Sequence, residues 1–149
     1  MPATLGLDAK IYRNTGTVAV PIFNLIENVK DVTLSLEKAL ADVTTRAAQG
    51  FRQEIGTLKE VEVTFQMVWD GTDDDFTAIK DAFFDGTQIH FAVMDGDVDT
   101  TGKQGLQAFF IVSAFTRNEP LEDAITVDVT LRLALPDNAA DQPLWVIVP

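Results

Sequence analysis

Ile125-Thr126-Val127-Asp128-Val129-Thr130-Leu131-Arg132-Leu133-Ala134-Leu135 sets an apolar residue at every odd position and, as far as Arg132, a polar one at every even position. Successive side chains of a strand point to opposite faces, so this alternation predicts a strand with one face in a core and one in water. The same period runs through Val61, Val63, Phe65, Met67 and Trp69, with Glu60, Glu62, Thr64 and Gln66 between them. Val32, Leu34 and Leu36 alternate with Thr33 and Ser35 to give a third strand. Thr17–Ile26 and Ile89–Met94, rich in β-branched and aromatic residues, supply a fourth and a fifth. Ala9, Ile11 and Tyr12 suggest an opening strand and Leu144–Val148 a closing edge. The fold class is mainly β.

Gln107–Thr116 (QAFFIVSAFT) breaks the rule by being apolar on both faces. Such a strand is either buried under a helix on one side or covered by another subunit. One helix is expected, over about residues 73–85. Thr72-Asp73-Asp74-Asp75 has the spacing of a capping box, with acids at the positive end of the helix dipole. Phe76, Ile79 and Phe83 then recur at helical spacing, and Gly86 can end the helix. The segment Glu37–Glu54 is ambiguous: Leu36, Leu40, Val43 and Ala47 fit a helical period, but Asp42-Val43-Thr44-Thr45 and Gly50 oppose it.

At 149 residues, with 46% hydrophobic and 23% charged residues, the chain has the size and composition of one globular domain, residues 1–149. There is no cysteine, which removes disulfides and thiolate metal sites. The opening MPATLGLDAKIYRN lacks a basic region followed by an apolar run, so no signal peptide is expected, and no apolar stretch is long enough to span a membrane. Net charge is −12, and nine Asp against Lys80 alone between Asp70 and Asp99 account for −8 of it. A negative field of this kind does not attract nucleic acid or anionic lipid.

Catalytic and cofactor-binding constellations are missing from the pattern. The one histidine, His90, sits in a predicted strand between Ile89 and Phe91 and reads as structural. Asp95-Gly96-Asp97-Val98-Asp99 resembles the first half of a calcium loop, but its sixth position is Thr100 and its twelfth Leu106, so the turn glycine and the bidentate acid are both absent. An Asp/Gly turn between strands explains it better. No phosphate loop, dinucleotide fingerprint or nucleophile elbow occurs. We expect no enzyme, no metal and no cofactor.

Two stretches are similar to the tail tube (major tail) proteins of tailed phages. One is Asp31–Asp70, where a strand leads through ADVTTR, GFR and GTLK to a strand ending in Trp-Asp. The other is Ala92–Arg132, with AVMDGD, QGLQAFFIVSAFTR and PLEDAITVDVTLR in order. The resemblance implies two packed antiparallel sheets, sandwich or barrel-like, with one flanking helix and a long loop or extended hairpin at about 38–56. It further implies hexameric rings that stack into a tube for DNA ejection, in a virion tail made in the host bacterial cytoplasm. The partners implied are other copies of the chain, and tape measure, tail terminator, baseplate and, in a contractile tail, sheath proteins. DNA would pass without specific binding.

In that frame Asp42, Thr44, Thr45, Arg46, Phe51 and Arg52 are the candidates for an inter-ring loop, and Phe109, Phe110, Ile111 and Val112 for an inter-subunit strand. Asp73, Asp74, Asp75, Asp95, Asp97 and Asp99 are candidates for an acidic surface. An acidic lumen wall would repel DNA phosphates, so the lumen-facing sheet should be net negative. Three other readings compete: the tube of a type VI secretion or phage-derived contractile injection system, a monomeric ligand-binding β-barrel, and a carboxylate-dependent hydrolase, which would require two acids with perturbed ionisation in one cleft.

Overall fold

The computed structural model describes residues 3, 5–136 and 141–149. Among them the elements run β1 (Lys10–Asn14), β2 (Phe23–Leu25), β3 (Val29–Asp42), β4 (Glu54–Val68), α1 (Asp74–Asp85), β5 (Ile89–Met94), β6 (Gln104–Asn118), β7 (Thr126–Leu133) and β8 (Leu144–Ile147). All strand pairs are antiparallel, in the order β2-β1-β5-β6-β7-β4-β3, with β8 beside the start of β6. The mainly β architecture with one helix is the one periodicity predicts.

The two sheets expected to pack on each other are halves of one continuous sheet. β6 joins them, because Gly105–Phe110 pairs with β5 while Phe110–Asn118 pairs with β7. The sheet does not close into a barrel. Lys10 of β1 and Val32 and Leu34 of β3 line one groove of about 230 Å3, yet no ladder joins their strands.

One face of this sheet makes the core. Val63, Met67, Phe91, Phe110, Val127, Leu131 and, from the helix, Ile79 are fully or almost fully buried in a single cluster. The odd positions of β4 and β7 point inward as their alternation requires. In β6 the inward positions are even (Leu106, Ala108, Phe110, Val112) until the register shifts between Val112 and Ala114. The extra residue there, Ser113, reverses the phase, so that Phe115 turns toward the core. A β-bulge therefore accounts for much of the two-faced apolar character of Gln107–Thr116.

Two other expectations change. Thr17–Ile26 is not one strand: only Phe23–Leu25 is extended and paired, and residues 15–22 form a loop closed by the Thr17 N–H on Val20 O. The helix is capped by Asp73 rather than Thr72. The Asp73 carboxylate accepts from the Phe76 N–H at 3.1 Å, while the Thr72 hydroxyl is held by Asp70 at 2.6 Å. Gly86 ends α1 in the left-handed conformation, φ 71°, as its place after the last apolar turn implies. Phe76, Ile79 and Ala82 are buried against the sheet, and Phe76 and Phe83 both contact the Phe115 ring. No helix among the described residues is long and apolar enough to cross a membrane.

Candidate assembly surfaces

The ambiguous segment is an extended hairpin. β3 and β4 continue side by side to Asp42 and Glu54, well beyond the last inward residue, Val61. From Glu54 to Glu60 every residue of β4 is exposed, so this part of the ladder projects from the body as an arm. A single hairpin has no core of its own, and its sequence shows why periodicity left it ambiguous. Leu36, Leu40, Val43, Phe51, Ile55 and Leu58 are 47 to 78% exposed, apolar residues without a partner inside the subunit. Leu36, Leu40, Ile55 and Leu58 escape a reading based on one buried face; the signal for them is apolar residues at both parities of paired strands. Exposed apolar residues gathered along one arm in this way mark an interaction surface.

The six inter-ring candidates gather at the arm's tip. Asp42 accepts from the Thr44 N–H at 2.8 Å, and Thr44, first through its side chain and then through this N–H, holds the Asp42 carboxyl below its ordinary range. The Thr44 hydroxyl accepts from the Gln53 N–H and donates to its carbonyl. Thr45 precedes a short 3-10 turn, Arg46–Ala48, and Gln49 and Gly50 then take left-handed conformations that reverse the chain. Phe51, Arg46 and Arg52 are left exposed around this turn.

The four inter-subunit candidates separate. Phe110 and Val112 are buried in the subunit's own core and present nothing to a neighbour. Phe109 lies on the opposite face against His90, with ring centroids 4.9 Å apart, and Ile111 is 36% exposed on that face. β6 is paired on both sides near Phe110, whereas β3 is the last strand of the sheet and its outer edge pairs with no described strand.

The six acids also serve different ends. Asp75 is not on the surface; it is buried at the start of α1, where its carboxylate accepts from Arg13 Nε at 2.7 Å. Asp73 caps the helix, and Asp74 is exposed beside it. Asp95 and Asp97 act inside the β5–β6 turn: Asp95 accepts from the Gln104 N–H, and Asp97 from the Asp99 N–H. Lys10 lies 3.9 Å from Asp97. Asp73, Asp95 and Asp97 are thus acceptors of a cap and a turn, Asp75 is an ion-pair partner, and Asp74 and Asp99 are exposed; no group of three or more His, Asp or Glu among the described residues is arranged to hold a metal ion.

The outward face of β3, β4 and β7 is polar. Register places Glu37, Glu60, Glu62, Gln66, Asp128 and Thr130 on it, with Lys30 and Arg132. Arg132 binds Glu62 at 2.7 Å and Gln66 binds Asp128 at 3.1 Å. Four carboxylates against two cations leave this face negative.

Comparison with known proteins agrees with this geometry. A model of the phage tail tube protein family matches residues 10–136. The tail of an empty gene transfer agent particle, refined helically with C6 symmetry, is 18% identical with a TM-score of 0.72, covering 97% of this chain and 98% of that one. The SPP1 tail tube is 14% identical with a TM-score of 0.74, covering 97% and 80%. A chain of the anti-feeding prophage baseplate is 6% identical with a TM-score of 0.64, covering 99% and 97%. At these identities the likeness to solved structures is one of fold. A search among curated proteins returned no match. Since the family model spans the sheet from β1 through β7 and the helix, the chain belongs to the phage tail tube protein family.

Proposed function

We propose that this chain forms hexameric rings, that the rings stack into a tail tube, and that the tube is a non-enzymatic conduit for DNA in a virion tail. The observation that carries the reading is the arm. Its exposed Leu36, Leu40, Phe51, Ile55 and Leu58 have no function in a monomer and need the cover that a second subunit gives. The open edge of β3 adds to this, because an unpaired edge invites a neighbouring strand and a closed ring removes the hazard. The negative outward face of β3, β4 and β7 suits a lumen wall along which phosphates slide without being gripped. Tape measure, terminator and baseplate proteins, with a sheath in a contractile tail, would meet the ends and outside of such a tube.

The fold shared with the anti-feeding prophage baseplate chain keeps an injection-system tube as a second reading. Genes for a capsid and terminase beside this one favour the first, and genes for an ATPase and spike the second. Negative-stain microscopy and sedimentation of the purified chain test assembly itself. Rings or tubes support the proposal; a compact monomer at every concentration refutes it and favours a ligand-binding module.

A further inference from the structure

The face of the sheet away from the main core holds a second, smaller cluster of Tyr12, Ala92 and Met94, with Phe23 packed on it. Asn14 and His90 continue that face by the alternation of β1 and β5, and both are 8% exposed. Asn14 is a hub there. Its side-chain oxygen accepts from the Gly16 N–H at 2.9 Å and the Ile22 N–H at 3.0 Å, and its side-chain nitrogen donates to Thr17 O at 3.2 Å. These three partners are backbone groups of fixed polarity, so they set which way the amide points. The same nitrogen lies 3.2 Å from His90 Nδ1. Beyond Asn14, residues 15–22 are closed by the Thr15 N–H on Ile22 O and the Thr17 N–H on Val20 O.

A neutral ring satisfies this arrangement and a protonated ring does not. In the imidazolium both nitrogens carry hydrogen, so Nδ1–H would face the Asn14 amide N–H, donor against donor in a buried site. With the amide turned over, its oxygen meets Nδ1–H and Thr17 O, and its nitrogen meets the two N–H groups from which the oxygen accepted. One amide cannot serve both the ring and the loop. Around the ring, β1 contributes Arg13, whose guanidinium is held by Asp75 at 2.7 Å, and the segment before β8 contributes Asp141. β6 presents Phe109, and β2 with residues 15–22 presents Phe23 and Thr17, none of them charged. Burial opposes the charged ring and Asp141 favours it.

We infer that Asn14 and His90 form an acid-operated latch on the β1–β2 loop: a proton gained from solvent at Nδ1 turns the Asn14 amide over and releases residues 15–22 from β1. β2 is three residues long, is the first strand of the sheet and pairs with β1 alone, so release unpins that edge. The loop carries Val18, Val20 and Ile22, all exposed while latched, so opening reshapes an apolar edge and leaves the main core, on the other face, shut. The latch belongs to the single subunit and stands apart from the tube.

Proton NMR and hydrogen exchange of dilute subunits test it. The His90 ring is titrated from about pH 7 to about pH 4.5 while protection factors, corrected for the intrinsic pH dependence of exchange, are read at the Gly16 and Ile22 amides. Both should fall at least about tenfold through the ring's titration, as amides of the β4–β7 ladder keep theirs. His90→Gln, which takes no proton there, should hold both protections constant. Asn14→Asp should hold them too, because a carboxylate accepts from the loop and from Nδ1–H together, and should raise the pKa of the ring. A ring that titrates with both amides still protected, a ring that stays neutral throughout, an equal loss in His90→Gln, or an Asn14→Asp ring that titrates no higher than the wild type would overturn the latch.

Discussion

The side-chain amide of Asn14 lies 3.2 Å from the Nδ1 atom of His90, and that contact decides the protonation of the ring. The Asn14 amide also donates to Thr17 O, and its oxygen accepts from the Gly16 and Ile22 N–H groups. Its oxygen and one of its N–H groups are thus committed to the β1–β2 loop; the nitrogen facing His90 can only donate, so His90 Nδ1 must accept. The imidazole is neutral, with its proton on Nε2. Phe23 and Phe109 flank the ring, and the charged neighbours are Arg13 and Asp141.

Acid should therefore loosen the β1–β2 loop. Burial holds the His90 pKa below its ordinary 6.5, with the charge of Asp141 acting in the opposite sense. A depressed folded-state pKa gives stability that is complete above 6.5 and lost as pH falls through the folded value. We expect the melting temperature to drop over that interval, and the drop to be absent in His90→Gln. Asn14→Ala should cost about 1–3 kcal/mol at neutral pH by leaving buried donors unpaired. A His90→Gln variant with an unaltered pH profile from neutral to about pH 5 would contradict the assignment.

The Arg13–Asp75 pair offers a second test. Both side chains are largely buried, 17% and 12% exposed, and the pair ties β1 to the first turn of α1. Removing one partner strands the other charge, so Asp75→Ala should destabilise the subunit by about 3–5 kcal/mol in urea denaturation. Replacing both, Arg13→Met with Asp75→Leu, should recover much of that loss. A cost below about 1 kcal/mol for Asp75→Ala would show the pair to be solvated in solution.

Phe110 and Phe51 should behave in opposite ways, although both are phenylalanines in candidate interface segments. Phe110 is fully buried, and Phe110→Ala should cost about 3–5 kcal/mol of subunit stability through the cavity it leaves. Phe51 is exposed at the arm's tip, so Phe51→Ala should change subunit stability by no more than about 0.5 kcal/mol while shortening tubes. Melting curves of dilute protein beside micrographs of concentrated protein separate the two effects.

Gly105 is a position where the backbone itself leaves no room. It faces Met94 in the β5–β6 ladder, and a Cβ there would stand 1.9 Å from Val93 O. Gly105→Ala should therefore distort the ladder and lower the melting temperature by several degrees. A variant as stable as the wild type would show that the two strands can separate locally at no cost.

What the sequence made legible follows from where one face is buried and the other wet. β4 and β7 show that contrast residue by residue, and Asp128 and Thr130 announce the water-facing side as clearly as Val127 and Val129 announce the core. The bulge at Ser113 was hidden because an inserted residue leaves composition unchanged and alters only phase. Thr72 and Asp73 are both good caps one position apart, and the choice between them was made by Asp70, which captures the Thr72 hydroxyl. Residues 17–20 have strand propensity but are held in a loop by the Asn14 side chain, a contact no local pattern records. In the arm, alternation fails because neither face is buried in the subunit; the order of motifs shared with the tail tube family supplied what periodicity could not.

Cryo-electron microscopy of the concentrated chain tests the central claim most directly. The account predicts stacked sixfold rings, the inter-ring candidates at the arm's tip seated on the adjoining ring, and Glu37, Glu60, Glu62 and Asp128 facing the lumen. A basic lumen would contradict the placing of the negative face, and a compact monomer at every concentration reached would contradict the tube itself.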